Sequence, residues 1–154
     1  MQYNEIEGNL ITLAQEGAFD VITHGCNCFC TMGAGIASQM AEAFGCNNYR
    51  LEGKNYKGQI NKLGQIDFGF VEAGGKPLAV VNSYTQYQFG TKTKPFDYEA
   101  FFLCMRKINH IFKGKHIGLP QIGSHLAGGD WEVIKQIIKK ELIDMNVTIV
   151  IYKP

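Results

Sequence analysis

The 154-residue sequence predicts an α/β fold in three layers, α/β/α, with helices on both faces of a mixed central sheet. Strand-like apolar runs alternate with stretches of helical period through most of the chain. The turn signal Gly74-Gly75-Lys76-Pro77 sets a hairpin in the middle, which makes the sheet mixed. Two other strands end in glycines and open into helices, at residues 33–35 and 123–129.

In order along the chain, residues 3–7 and 10–14 read as short strands around the turn Gly8-Asn9. Residues 19–24 form a brief apolar strand bounded by Gly17 and Gly25. From Gly35, the residues Ile36, Met40 and Phe44 recur at helical spacing among the small Ala37, Ala41 and Ala43. The polar stretch 45–62 follows neither period and is expected to be loop with a helical turn. Segments 64–72 and 77–84 supply the hairpin. Asp97 is placed to cap a helix whose apolar stripe is Phe101, Met105, Ile108 and Phe112. His116-Ile117-Gly118-Leu119-Pro120 runs as a strand into the second glycine loop. Asp130 then precedes a helix with Trp131, Ile134, Ile138 and Leu142 on one face, and residues 147–152 close the chain as a β-branched strand.

With 45% hydrophobic residues the chain can bury one sizeable core but is too short for two ordinary domains, so residues 1–154 are expected to form one. Basic and acidic side chains nearly balance, at a formal net charge of +1, which excludes the broad footprint of a duplex-binding protein. A polyphosphate ligand would have to be held by local donors. No apolar stretch approaches the ~20 residues that span a bilayer, and no leader pattern is visible, so a soluble, cytoplasmic protein without a membrane partner is expected.

Strands that end in glycine turns and open into helices bring free N–H groups and positive helix ends to one edge of a sheet, the edge where open α/β sheets take ligands. Phosphate cradling needs backbone N–H groups unscreened by side chains. Gly33, Ala34, Gly35 and Ile36 in the first loop, with Gly123, Ser124, Leu126, Ala127 and Gly128 in the second, are therefore candidate contacts. The first loop lacks the third glycine of a dinucleotide fingerprint, which speaks against that alternative. His24, Cys26, Cys28 and Cys30 alternate along one face, but structural zinc sites take C-x₂₋₄-C pairs on turns, so no metal is expected. The five cysteines are expected as reduced thiols used in packing.

Three linked stretches carry a resemblance. They are Asp20-Val21-Ile22-Thr23-His24-Gly25-Cys26-Asn27, then Met32-Gly33-Ala34-Gly35-Ile36-Ala37, then Leu119-Pro120-Gln121-Ile122-Gly123-Ser124-His125-Leu126-Ala127-Gly128-Gly129-Asp130-Trp131. In order and spacing they resemble the macro domain family. The likeness is to the branch holding the terminal ADP-ribose protein glycohydrolase and the yeast-type ADP-ribose-1″-phosphate phosphatases, and it covers nearly the whole chain. It implies a partner, ADP-ribose or ADP-ribose 1″-phosphate, and no cofactor. By resemblance Asp20 accepts the adenine amino group, Asn27 contacts the distal ribose, and the two glycine loops wrap the diphosphate.

The glycohydrolase branch uses a lysine after the strand equivalent to 78–84 and an aspartate in the last loop. Here Asn82-Ser83-Tyr84-Thr85-Gln86 has no lysine, and Ala127 stands where that aspartate would be. The resemblance therefore implies a metal-independent phosphatase acting on ADP-ribose 1″-phosphate. Removal of ADP-ribose from protein or nucleic acid, and binding without turnover, stand as alternatives. Candidate catalytic groups are Asn27 to orient the ribose, His24 or His125 for proton transfer or phosphate charge, and Asp130 with the attacking water. Each has a plainer role available: Asp20 starting a strand, His24 hydrogen-bonded in the core, His125 in a surface loop, and Asp130 capping a helix.

Overall fold

The structure, a computed structural model, describes residues 1–32, 35–88, 95–124 and 128–153. Six strands form one sheet: β1 (Tyr3–Gly8), β2 (Val21–Asn27), β3 (Ile66–Ala73), β4 (Lys76–Gln86), β5 (His116–Leu119) and β6 (Asn146–Tyr152). Their order is β1-β6-β5-β2-β4-β3, with every neighbouring pair parallel except the β3–β4 hairpin. Among the described residues four α-helices, α1 (Leu10–Gln15), α2 (Gly35–Phe44), α3 (Tyr98–Ile111) and α4 (Trp131–Glu141), accompany the sheet.

Alternation along β2 divides the core in two. Val21 joins an apolar cluster with Phe101, Met105, Ile108, Ile134 and Ile138 of α3 and α4, whereas Ile22 joins one with Leu10, Ala14 and Met40 of α1 and α2. Helices therefore cover both faces, as the sequence predicts. The expected stripe of α3 is buried in full. In α4 Ile134, Ile138 and Leu142 are buried and Trp131 packs partly against them. Asp97 caps α3 by accepting from the Ala100 N–H at 2.9 Å.

Residues 10–15 are a helix, which corrects the expected second strand. Asn9 accepts from the Thr12 N–H at 3.1 Å, an N-cap, and Leu10 and Ala14 bury one helical face at i, i+4. A five-residue apolar run does not distinguish the two periods, and here the cap decided. β2 extends three residues past the expected His24, because β4 offers parallel pairing as far as Gln86.

The stretch 45–62 contains four single-turn 3₁₀ segments, at Cys46–Asn48, Arg50–Glu52, Lys54–Tyr56 and Ile60–Lys62. The sheet holds them in place: Asn82 Nδ2 donates to the Cys46 carbonyl at 2.9 Å, and Asp67 Oδ2 accepts from the Leu51 N–H at 2.8 Å. Tyr49 lies so close over Gly69 that a Cβ there would meet its ring at 2.8 Å.

Ile138 is fully buried between α4 and the sheet. Ile138→Ala should lower unfolding free energy by about 2–5 kcal/mol, read from urea denaturation, with no change of fold by circular dichroism.

Candidate functional site

Because β1, β6, β5, β2 and β4 are parallel, their carboxyl ends share one edge. The chain leaving β2 runs to β3 and β4 on one side, and the chain leaving β5 runs to β6 on the other. Open parallel sheets take ligands where such connections diverge, here at the carboxyl ends of β2 and β5, the two strands that the glycine loops follow. Asn9 at the end of β1 and Asn27 at the end of β2 lie on the same edge.

Between β2 and α2 the turn is organised by Asn27, itself 7% exposed. Its Oδ1 accepts from the N–H of Phe29 at 3.0 Å and of Thr31 at 3.3 Å, and its Nδ2 donates to the Thr31 carbonyl at 2.9 Å. Both oxygen lone pairs are thus spent inside the loop, leaving one amide N–H. The turn hands over to α2 at Gly35, whose φ of +61° is left-handed. A Cβ at Gly35 would meet nothing within 4 Å, so packing does not require this glycine. Ile36 turns towards the core beside α1 and α2.

The second loop is built differently. Gly123 combines a φ of +74° with the ring of Phe96 lying where a Cβ would stand, and at Gly129 a Cβ would meet the Gly123 carbonyl at 2.7 Å. Gly129 N–H donates to that carbonyl at 2.7 Å, and Ser124 Oγ donates to the Gln121 carbonyl at 2.7 Å. Packing therefore accounts for Gly123 and Gly129. Gly128 is left-handed and exposed. The expected contacts Gly33, Ala34, Leu126 and Ala127, and the candidate His125, lie outside the described residues.

Asp130 follows this loop at the same edge and N-caps α4, its Oδ1 accepting from the Glu132 N–H at 3.0 Å. Its own N–H donates to Tyr98 Oη at 2.8 Å, and the residue is exposed to solvent.

Asp20 stands apart from these groups. It precedes the first residue of β2, at the amino end of the strand, the sheet edge opposite the glycine loops. There it accepts from the His116 N–H at 2.9 Å and pairs with Lys76 Nζ at 3.2 Å. Burial opposes its charge, but these two donors outweigh burial and hold the carboxyl below its ordinary value.

His24 is sealed inside, fully buried between the sheet and the α2 side. Its Nε2 lies 2.7 Å from Asn82 Oδ1. Since Asn82 Nδ2 is committed to the Cys46 carbonyl, Oδ1 is the acceptor and Nε2 carries the proton; Nδ1 is left with no partner. Burial pulls the imidazole down to about 4 against the raising effect of that hydrogen bond. The ring is neutral at pH 7 and walled off from the edge.

Among the described residues no group of three or more His, Cys, Asp or Glu side chains is placed to hold a metal, and no helix is long and apolar enough to cross a membrane. The cysteines are free, and four of them are buried; Cys30 is partly exposed. Nothing in the sequence marks Glu52 and Lys62 as buried, because polar residues in an aperiodic stretch read as solvated.

No family model matches the chain. Over 153 residues it is 31% identical to the uncharacterized 17.5 kDa protein of the tk-vs intergenic region of Enterobacteria phage T4, covering 97% of this chain and 96% of that one. A solved protein of unknown function from Bacteroides thetaiotaomicron superposes with a TM-score of 0.72 at 27% identity, over 98% of each chain. The macrodomain of Thermus aquaticus DarG superposes with a TM-score of 0.66 at 21% identity, over 99% of each. The chain belongs to the family of the phage protein, and its fold is that of a macrodomain. A Trypanosoma brucei macrodomain solved in complex with ADP-ribose shares this fold at a TM-score of 0.63 and 15% identity, covering 98% of this chain and 63% of that one.

The buried imidazole makes stability pH-dependent. Above pH ~6.5 it is neutral in both states. Below that, the unfolded chain takes up a proton that the folded chain refuses until about 4. Stability should fall by about 3 kcal/mol from this group as pH drops across that window. Urea titrations should show a flatter pH dependence there for His24→Gln than for the wild type.

Proposed function

We propose that this macrodomain binds ADP-ribose across the carboxyl ends of β2 and β5 and hydrolyses ADP-ribose 1″-phosphate to ADP-ribose and inorganic phosphate. The observation that carries the reading is the pairing of glycine-bearing turns on the two strands that flank the divergence of connections, each opening a helix at its positive end. A net charge of +1 supplies no long-range attraction, so backbone N–H groups are the donors for the diphosphate. The ADP-ribose complex of the Trypanosoma brucei macrodomain supports the choice of ligand.

In this reaction a water oxygen bonds to phosphorus, the bond from phosphorus to the 1″ oxygen breaks, and the sugar oxygen takes a proton. Burial removes His24 from the proton transfer, which leaves His125 as donor and Asp130 to orient the water. Asn27 shapes the loop beneath the distal ribose and offers its one uncommitted N–H. The same burial of His24 and engagement of Asn27 favour a second reading, a macrodomain that binds ADP-ribose without turnover.

Calorimetry with ADP-ribose and phosphate release from ADP-ribose 1″-phosphate separate the two. Binding with release above the buffer rate supports the phosphatase; binding without release supports the reader; neither event removes both. Asp130→Ala should cut phosphate release by about 10²-fold or more while ADP-ribose affinity holds, and should lower unfolding free energy by about 1 kcal/mol through loss of the cap. Asp20→Ala should leave ADP-ribose affinity within about twofold, since it lies at the other edge of the sheet.

A further inference from the structure

Lys62 is 1% exposed, and the 3₁₀ turn that carries it points its ammonium at the loop after β2. Nζ lies 2.9 Å from Cys30 Sγ and 3.3 Å from the Cys28 carbonyl, and 4.6 Å from the centre of the Tyr84 ring. Among the described residues no carboxylate is within ion-pair distance of it. The carboxylates of Glu52 and Asp67 act on this ammonium from beyond ion-pair distance, and the Cys30 sulfur is the ionisable atom in direct contact with it.

Three further features converge on that sulfur. Glu52, 7% exposed, lies within electrostatic reach of Cys30, Tyr84 and Lys62, its Oε1 has no hydrogen-bond partner, and the Cys30 thiol makes a long contact of 3.5 Å to the Leu51 carbonyl. Cys30 holds a φ of +61°, the left-handed region that non-glycine residues rarely adopt, where strain gathers at working sites. Cys30 is also the partly exposed thiol, whereas Cys26, Cys28, Cys46 and Cys104 are between 0% and 4% exposed. A nucleophile, a basic oxygen and a fixed cation thus share one partly open site, the constellation that activated thiols use.

We infer that Cys30 is a reactive thiol, activated by Lys62 and Glu52, and that it is a site of modification by hydroperoxides and other soft electrophiles. Glu52 takes the thiol proton and Lys62 holds the sulfur as its counter-ion. The sulfur attacks the outer peroxide oxygen and the O–O bond breaks. The sulfur is oxidised to sulfenic acid, and the departing oxygen, reduced and protonated, leaves as water or an alcohol. Nothing in this step depends on which nucleotide the macrodomain binds.

The test is timed alkylation with iodoacetamide, and timed exposure to hydrogen peroxide with dimedone, each on native reduced protein at pH 7 with peptide mass spectrometry. Cys30 should react at least about tenfold faster than the other four cysteines and no slower than free glutathione under the same conditions. Lys62→Met should slow Cys30 by about tenfold or more, with Glu52→Gln in the same direction. A Cys30 slower than glutathione, or one whose rate survives Lys62→Met in a folded protein, overturns the inference. The comparison with glutathione uses the wild-type protein and decides the matter even if Lys62→Met does not fold.

Discussion

The contact on which the rest of the molecule depends is the polar seam between β2 and β4, at the centre of the sheet. Thr23 Oγ1 donates to the Val81 carbonyl at 2.9 Å and lies 2.7 Å from Ser83 Oγ, so the serine must donate to the threonine. On the opposite face His24 and Asn82 meet at 2.7 Å. All four side chains are buried, and each would cost stability if its partner were lost. The seam fixes a one-to-one register from Val21↔Ala79 to Cys26↔Tyr84, and only then does it slip, at Cys26/Asn27. A shift by one residue would exchange the two hydrophobic cores, so the polar pairs and the apolar clusters select the same alignment.

Above that seam the edge acquires its chemistry. The slip at Asn27 ends the regular ladder and releases the chain into the turn that this asparagine closes with three hydrogen bonds. Gly25 belongs to the same arrangement, because a Cβ there would meet Thr85 Oγ1 at 2.9 Å and Ile122 at 3.3 Å. Strand β4 and the loop after β5 can thus close over β2 only at a residue without a side chain. The positions of both loops follow from that close approach.

Most of this fold was legible in the sequence, because long helical stripes and β-branched runs leave one interpretation. Phe101, Met105, Ile108 and Phe112 could hardly be anything but the inner face of α3. Residues 10–14 differ from expectation because so short a run fits both periods, and the deciding signal, Asn9 as a cap, reads equally well as a turn residue. The site was legible in part. Glycines after strands mark the right edge, whereas the resemblance puts Asp20 there too, although a residue ahead of β2 stands at the strand's amino end. His24 ended its run at a point where the strand had three residues still to go, so it looked peripheral when it is central. Nothing in the order of residues 45–62 announces that Glu52 and Lys62 are interior, since their burial depends on a covering laid over β3 and β4 by distant pairings.

The two glycine loops differ in how freely their sequences can drift. At Gly35 a left-handed backbone faces open space, a demand that asparagine also meets at modest cost. At Gly123 the backbone and the Phe96 ring together leave room for glycine alone. Variation accumulating over generations can therefore retune the first loop at Gly35 without touching the core, while a change at Gly123 or Gly129 registers as lost stability. Ligand preference in descendants of this chain should diverge through the turn after β2, with the turn after β5 held as the inherited frame.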